Sequence, residues 1–329
     1  MPNLSISYLI ESFALRVPFG IARGEKNKVD IIKVKVTDGL TNGYGECSPN
    51  LRYNQTIETE IININEIILH FQGKDITNKG LQFFDPSPAR SAIDNAIWDF
   101  NVKKNKTTIW EYLGLKKPNS FPTAITIDLS SMGRIDIKTN TFRSFRTIKI
   151  KLDGTDDDYQ RLKSIREKFP YASIIVDANE SIKPGDINSY IKLFEEHDVS
   201  LIEQPLKSDL DSYLMNTNTK IPICADESCL SYSDIEHVKK YYKAINIKLD
   251  KCGGLFEAIK MIKAAKKYDL KIMAGCMLCT SLGIAPAQIV AMHADFIDLD
   301  GPIFLEKDRE NKIEYKNGLM KTSSSELWG

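Results

Sequence analysis

"RTIKIKLDG", residues 146–154, alternates: Ile148, Ile150 and Leu152 share one face, and Lys149 and Lys151 share the other. Side chains of a β-strand point to opposite sides in turn, so the run reads as a strand aiming two ammonium groups at one spot. Working outward, short apolar runs recur from about residue 121: "PTAITIDL", "TIKIKLD", "SIIVDAN", "SLIEQPL", "PICADES", "AINIKLDK", "KIMAGCM" and "FIDLDGP". They repeat every 22 to 28 residues or so, the length of a βα unit. Stretches of helix length lie between them, clearest at 155–168, 184–197, 254–268 and 281–293, and least regular at 130–145. Strands alternating with helices imply a parallel sheet, and eight such strands imply a closed α/β barrel. An open doubly wound sheet is the competing architecture, but no glycine-rich phosphate turn follows the first strand.

Residues 1–120 have a different texture. Two strand-like runs, "LSISYLIESFALRV" and "DIIKVKVTDG", precede two helical segments. In the first, Thr56 to Phe71, Ile57, Ile61, Ile64 and Ile68 fall at helical spacing. The second, Pro88 to Lys103, starts with proline where its missing N–H matters least. This is an α+β arrangement. The expected division is a first domain over 1–120, a barrel over 121–302, and a tail over 303–329 that returns to the first domain.

Bulk properties exclude several classes. The 329 residues carry 44 Lys and Arg against 44 Asp and Glu, whereas a protein that binds nucleic acid through phosphates should be basic. No apolar run approaches the roughly 18 residues of a membrane span. The N-terminus lacks a basic segment followed by a long apolar one, so the expectation is a soluble, cytoplasmic protein. Six cysteines, at 47, 224, 229, 252, 276 and 279, read as reduced thiols; Cys276 and Cys279 form a CxxC with no second pair to complete a zinc site. None of the four histidines falls at a strand C-terminus.

Barrel active sites form at the C-terminal ends of the strands. Strand two places Lys149 and Lys151 there, strand three Asp177, strand four Glu203, strand five Asp226, strand six Lys248, and strand eight Asp298 and Asp300. Asp177, Glu203 and Asp226 are 26 and 23 residues apart, one βα unit each. Three carboxylates without histidine or thiolate make a hard oxygen site that favours Mg²⁺. Any one of them could simply cap a helix. Three in one phase would repel strongly without a cation, even at an effective dielectric of about 20. Strands two and six lie on either side of strand four, so Lys151 and Lys248 should face each other across the mouth. Lys149 and a divalent cation nearby would lower the pKa of Lys151 and let it act as a base. Lys149 itself is placed to stabilise charge developing on a substrate carboxylate.

The motifs KIK (149–151), DAN (177–179), EQP (203–205), ADES (225–228) and NIKLDKCGG (246–254) together resemble the enolase superfamily, in its muconate-lactonising-enzyme-like subgroup, over essentially the whole chain. A lysine or histidine base working with Mg²⁺ on an enediolate is the known chemistry of that superfamily. The resemblance implies a (β/α)7β TIM-type barrel with an N-terminal α+β capping domain. It also implies one Mg²⁺ held by Asp177, Glu203 and Asp226, and two-base proton transfer by Lys151 and Lys248. Asp298 and Asp300 match the DxD with which dipeptide epimerases of the subgroup bind a substrate α-ammonium. In "PFGIARGEK", Arg23 matches an arginine that pairs with the glutamate side chain in epimerases acting on Ala-Glu. The implied substrates are L-Ala-L-Glu and L-Ala-D-Glu from murein peptide turnover. Arg52 and Tyr53 in "NLRYNQT", Thr126, Cys276 and Leu278 resemble further substrate contacts. The alternatives are a different dipeptide specificity, or o-succinylbenzoate synthase, muconate cycloisomerase or N-acylamino-acid racemase chemistry, whose substrates lack a free ammonium group. A Schiff-base aldolase would need no carboxylate triad, and a non-catalytic carboxylate-binding protein would leave the facing lysines unexplained. The expected partner is a small dipeptide, with neither nucleic acid nor membrane, and self-association stays open.

Overall fold

The computed structural model describes residues 4–21, 24–129 and 142–329. Arg23 and most of the 130–145 crossover lie outside the described residues.

The chain opens with an antiparallel sheet of β1 (Ser5–Ile21), β2 (Gly24–Thr37) and β3 (Asn42–Cys47). In β2 the alternation of Ile32, Val34 and Val36 with Lys33 and Lys35 buries one face against helices α1 (Ile57–His70) and α2 (Pro88–Lys104). Thr56 caps α1, and Ser87 caps α2 by accepting the Arg90 N–H. Gly43 and Gly45 lie on the face of β3 that meets α2, where a Cβ would overlap the carbonyls of Ala96 and Ala92. The two glycines let strand and helix backbones touch.

After β4 (Ser120–Pro122) come eight parallel strands: β5 (Ile125–Ile127), β6 (Thr147–Lys151), β7 (Ser173–Asp177), β8 (Val199–Glu203), β9 (Ile223–Ala225), β10 (Ala244–Ile247), β11 (Lys271–Gly275) and β12 (Phe296–Asp298). They pair in chain order, and the Ala124 N–H donates to the Ile297 carbonyl at 2.8 Å, drawing the two ends of the sheet together. Helices at Asp157–Lys168, Ile187–Glu196, Leu255–Lys267 and Ser281–Ala291 cover the outside at the stretches expected from sequence. This is the expected TIM-type barrel beside a separate N-terminal α+β unit.

The alternation in β6 is shared by its neighbours in the barrel. Outward residues Ile148, Ile150, Ile174, Val176, Ile202, Ile245 and Ile247 join the large core beneath the helices. Inward residues Ile175, Leu201, Cys224, Ala244 and Met273 form a small plug inside the barrel. One step further toward the strand C-termini, the inward positions turn polar. Gly275 belongs to that layer: a Cβ there would overlap the Asn246 amide, which donates to Glu203 Oε1 at 2.7 Å.

In the tail, β13 (Tyr315–Lys316) pairs with β14 (Leu319–Lys321), which in turn pairs with β4. Arg309 reaches Glu11 and Glu46 of the first sheet, and the Trp328 indole donates to the Asn95 carbonyl of α2. All six cysteines are free thiols, and five are buried. No described helix is long and apolar enough to cross a membrane.

Candidate active site

Strand register sets the site. Lys151 pairs across to Asp177 and Asp177 to Glu203, so the three sit level at the C-terminal rim, with Asp226 just beyond β9. All three acids are buried. The Lys149 ammonium lies 3.0 Å from Asp177 Oδ2, 2.7 Å from Glu203 Oε2 and 2.7 Å from Asp298 Oδ2. Lys151 Nζ donates to Asp177 Oδ2 at 2.6 Å and to Asn179 Oδ1 at 3.0 Å. Lys248 Nζ donates to Asp226 Oδ2 at 2.7 Å and stands 3.8 Å from Glu203 Oε1.

A fourth ammonium, Lys251, was not singled out from sequence, although it lies within NIKLDKCGG. It donates to Asp226 Oδ1 at 2.6 Å and to the carbonyls of Asp226, Cys229 and Asn246. Four ammoniums therefore meet the carboxylates of Asp177, Glu203, Asp226 and Asp298 in one low-dielectric layer. Burial works to lower Lys149 and Lys248, but the carboxylates outweigh it and hold both well above the ordinary lysine value. Burial likewise opposes ionisation of Asp177 and Asp226, yet their lysines hold both well below the usual carboxylate range. Glu203 goes the other way: burial and the charge of Asp177 push it up to about 7.

At β12, the Asp300 carboxylate accepts the Thr126 N–H at 2.6 Å, and Thr126 Oγ1 donates to Asp298 Oδ1 at 3.5 Å. Burial and neighbouring Asp298 push Asp300 up to about 7.

A cavity of about 450 Å³ opens over this layer. Of the residues expected from sequence, Lys149, Lys151, Lys248, Asp226, Asp298, Asp300, Thr126, Cys276, Leu278, Arg52 and Tyr53 line it. Asp177 and Glu203 lie below its surface, behind Lys149 and Lys151. The cavity also includes Phe19, Lys26 and Asn50, which had not been assigned individually, although "PFGIARGEK" and "NLRYNQT" bracket the loops. Phe19 is fixed by an edge-on contact with Phe304, ring centroids 4.9 Å apart. The Arg52 guanidinium is engaged by both oxygens of Glu180, each at 2.6 Å, a partner that no local pattern in the sequence announces.

Lysines converging on buried carboxylates at a barrel mouth form a candidate enzyme active site. Residues 5–114 match the mandelate racemase / muconate lactonizing enzyme N-terminal domain, and residues 137–324 match the enolase C-terminal domain-like family. L-Ala-D/L-Glu epimerase of Escherichia coli is 33% identical over 94% of this chain and 96% of its own. N-acetyl-D-glutamate racemase of a Pseudoalteromonas species is 34% identical over 91% of this chain and 95% of its own. Among solved structures, an Agrobacterium tumefaciens enolase family member with homology to dipeptide epimerases, holding sodium and L-Ala-L-Glu, superposes with a TM-score of 0.94. It is 38% identical and covers 99% of this chain and 100% of its own. Dipeptide epimerase of Methylococcus capsulatus, complexed with Mg and L-Arg-D-Lys, superposes at 0.88 with 26% identity over 98% of both chains. The chain belongs to the mandelate racemase / muconate lactonizing enzyme family of the enolase superfamily, among its epimerases and racemases, and is an isomerase.

Proposed function

We propose that the chain is a cytoplasmic, Mg²⁺-dependent dipeptide epimerase, inverting the α-carbon of the C-terminal residue of L-Ala-L-Glu and L-Ala-D-Glu that come from murein peptide turnover. The observation that carries this reading is a single cavity whose wall holds Lys151 and Lys248 together with Asp298 and Asp300. Two carboxylates offer a seat for an α-ammonium, and two lysines from different strands offer a base and an acid for one α-carbon. The E. coli and A. tumefaciens relatives support the choice of dipeptide.

Asp177, Glu203 and Asp226 are the residues that would hold the metal. Among the described residues no three such groups form a ready-made ligand cluster, because lysine ammoniums stand between the acids. The donor chemistry still fits: the set is all oxygen, and Glu203 Oε2 is buried without a hydrogen bond, its near neighbour being the Lys149 ammonium at 2.7 Å. When bound, the cation would supply positive charge for the substrate carboxylate. Of Lys151 and Lys248, one would take the α-proton from one face and the other would return a proton to the opposite face. Lys149 stabilises the charge that develops on the carboxylate meanwhile. Arg23 would read the glutamate side chain. Residues 1–120 with tail 303–329 act as the cap, and 121–302 as the catalytic barrel.

One observation favours a second reading. Asp298 is already paired with Lys149 and Asp300 is pushed up to about 7, which weakens the pull on an ammonium and suits an N-acylated glutamate, as in the Pseudoalteromonas relative. The test is α-deuterium uptake in D₂O with Mg²⁺, using L-Ala-L-Glu and N-acetylglutamate side by side. Uptake at the glutamate α-carbon of the dipeptide is expected to be faster. No uptake into any dipeptide would remove the proposal, and uptake into the N-acyl compound alone would establish the second reading.

A further inference from the structure

Arg52 lines the cavity, and its side chain is about one-third exposed, which suits a group that touches substrate. Its bonding points elsewhere. The Nε and Nη2 hydrogens both go to Glu180, at 2.6 Å each, in the two-pronged geometry that holds a guanidinium in one plane. Both partners are fixed from behind. On the cap side, Asn50 accepts the Arg52 N–H at 3.0 Å and opens a tight turn through Leu51–Tyr53, closed by Asn54 in the left-handed region at φ 57°. On the barrel side, Asn179 and Glu180 follow β7 with φ of 43° and 70°, two successive left-handed residues without a glycine. Such backbone is strained by about 1 kcal/mol or more per residue and persists only where contacts hold it. Here the Glu180 N–H donates to the Gln204 carbonyl at 2.9 Å, and Glu180 Oε1 also accepts the Ser208 N–H at 3.2 Å. The strained turn thus turns Asn179 toward Lys151 and Glu180 toward Arg52. Tyr53, next along the cap turn, lines the cavity with Lys248 and Asp226.

We propose that the Arg52–Glu180 fork is a latch: it fastens cap turn 50–54 onto the loop after β7, and Arg52 is a positioning residue that shapes the substrate cavity rather than a group that touches substrate. The latch spans the seam between cap and barrel, beside the Asn179 that Lys151 bonds. The kinetic part of this claim rests on the dipeptide reading; the structural part does not.

The variants Arg52→Gln, Glu180→Gln, the double variant and the charge swap Arg52→Glu/Glu180→Arg separate the two roles. A latch predicts that both single variants and the double raise KM for L-Ala-L-Glu by a similar factor, about tenfold (about 1.4 kcal/mol), with a smaller change in kcat. It also predicts faster amide hydrogen exchange at residues 50–54 in the substrate-free protein for all three, and partial recovery of both readouts in the charge swap. If Arg52→Gln raises KM while Glu180→Gln leaves KM and exchange unchanged, Arg52 touches substrate and the latch is refuted. If the wild-type chain exchanges no dipeptide proton, the proposed function fails by itself. The exchange rates at 50–54 still decide the latch, since unchanged rates in both single variants would refute it.

Discussion

An ammonium taken out of water persists only where opposite charge surrounds it, and Lys149, 2% exposed, has three carboxylates within 3.0 Å. Its inward direction was legible in the sequence, because a strand has period two and Ile148 and Ile150 had to face the helices. Its partner Asp298, 149 residues away, was not legible as a partner, since its match to the DxD motif points only to a substrate ammonium. All three lysines line the cavity, but Lys151 and Lys248 have fewer acids around them than Lys149: Lys151 bonds Asp177 and Asn179, and Lys248 has one carboxylate at bonding distance. If both transfer protons, Lys151→Ala and Lys248→Ala should each reduce L-Ala-L-Glu epimerisation by a factor of about 10³ or more, measured by polarimetry or by NMR of the two diastereomers. Appreciable interconversion by either variant would sink the two-base scheme.

At the scale of elements, the barrel depends on a simple division of each strand: apolar outward residues toward the helices, a small apolar plug inside, and charged residues at the last inward positions. That layering was readable because each βα unit brings the chain back to the same phase, which is why Asp177, Glu203 and Asp226 recur one unit apart. Contacts between elements were less readable. Gly43 and Gly45 had no assignment from sequence, yet they set the distance between β3 and α2. Gly45→Ala would drive a methyl into the Ala92 carbonyl, which a packed helix backbone cannot relieve. The expected loss is about 1–3 kcal/mol of unfolding free energy, seen as a lower urea midpoint; a shift below about 0.5 kcal/mol would show that β3 and α2 separate freely.

Over the whole molecule, α2 joins cap, barrel and tail. Nearly all of it is buried, and Asp94 on it accepts Asn78 Nδ2 at 2.8 Å and the Phe256 N–H at 3.0 Å from the barrel side. Burial pushes the Asp94 carboxyl up to about 7, against an ordinary value of 3.8. Between about pH 4 and 7 the unfolded chain has released this proton and the native state still holds it, so the contribution of Asp94 is full below about pH 4 and lost as pH rises through 7. Asp94→Asn removes the titration while adding a constant penalty for the altered hydrogen bonds. The stability of the variant relative to wild type should therefore improve from pH 4.5 to pH 7.5, by an amount on the order of 2–3 kcal/mol in urea unfolding. A difference that stays constant with pH would mean that the carboxyl ionises normally in the native state.

The sequence by itself determined the barrel and the identity of the residues at its rim, because hydrophobic alternation and the length of a βα unit act locally and repeat. Only the tertiary structure decided how those charges are shared: Lys149 with three acids, Lys251 behind Asp226, and Arg52 with Glu180, 128 residues apart. Such pairings follow from which strand ends and loops pack side by side, and no periodicity along the chain encodes a distance between side chains so far apart in sequence.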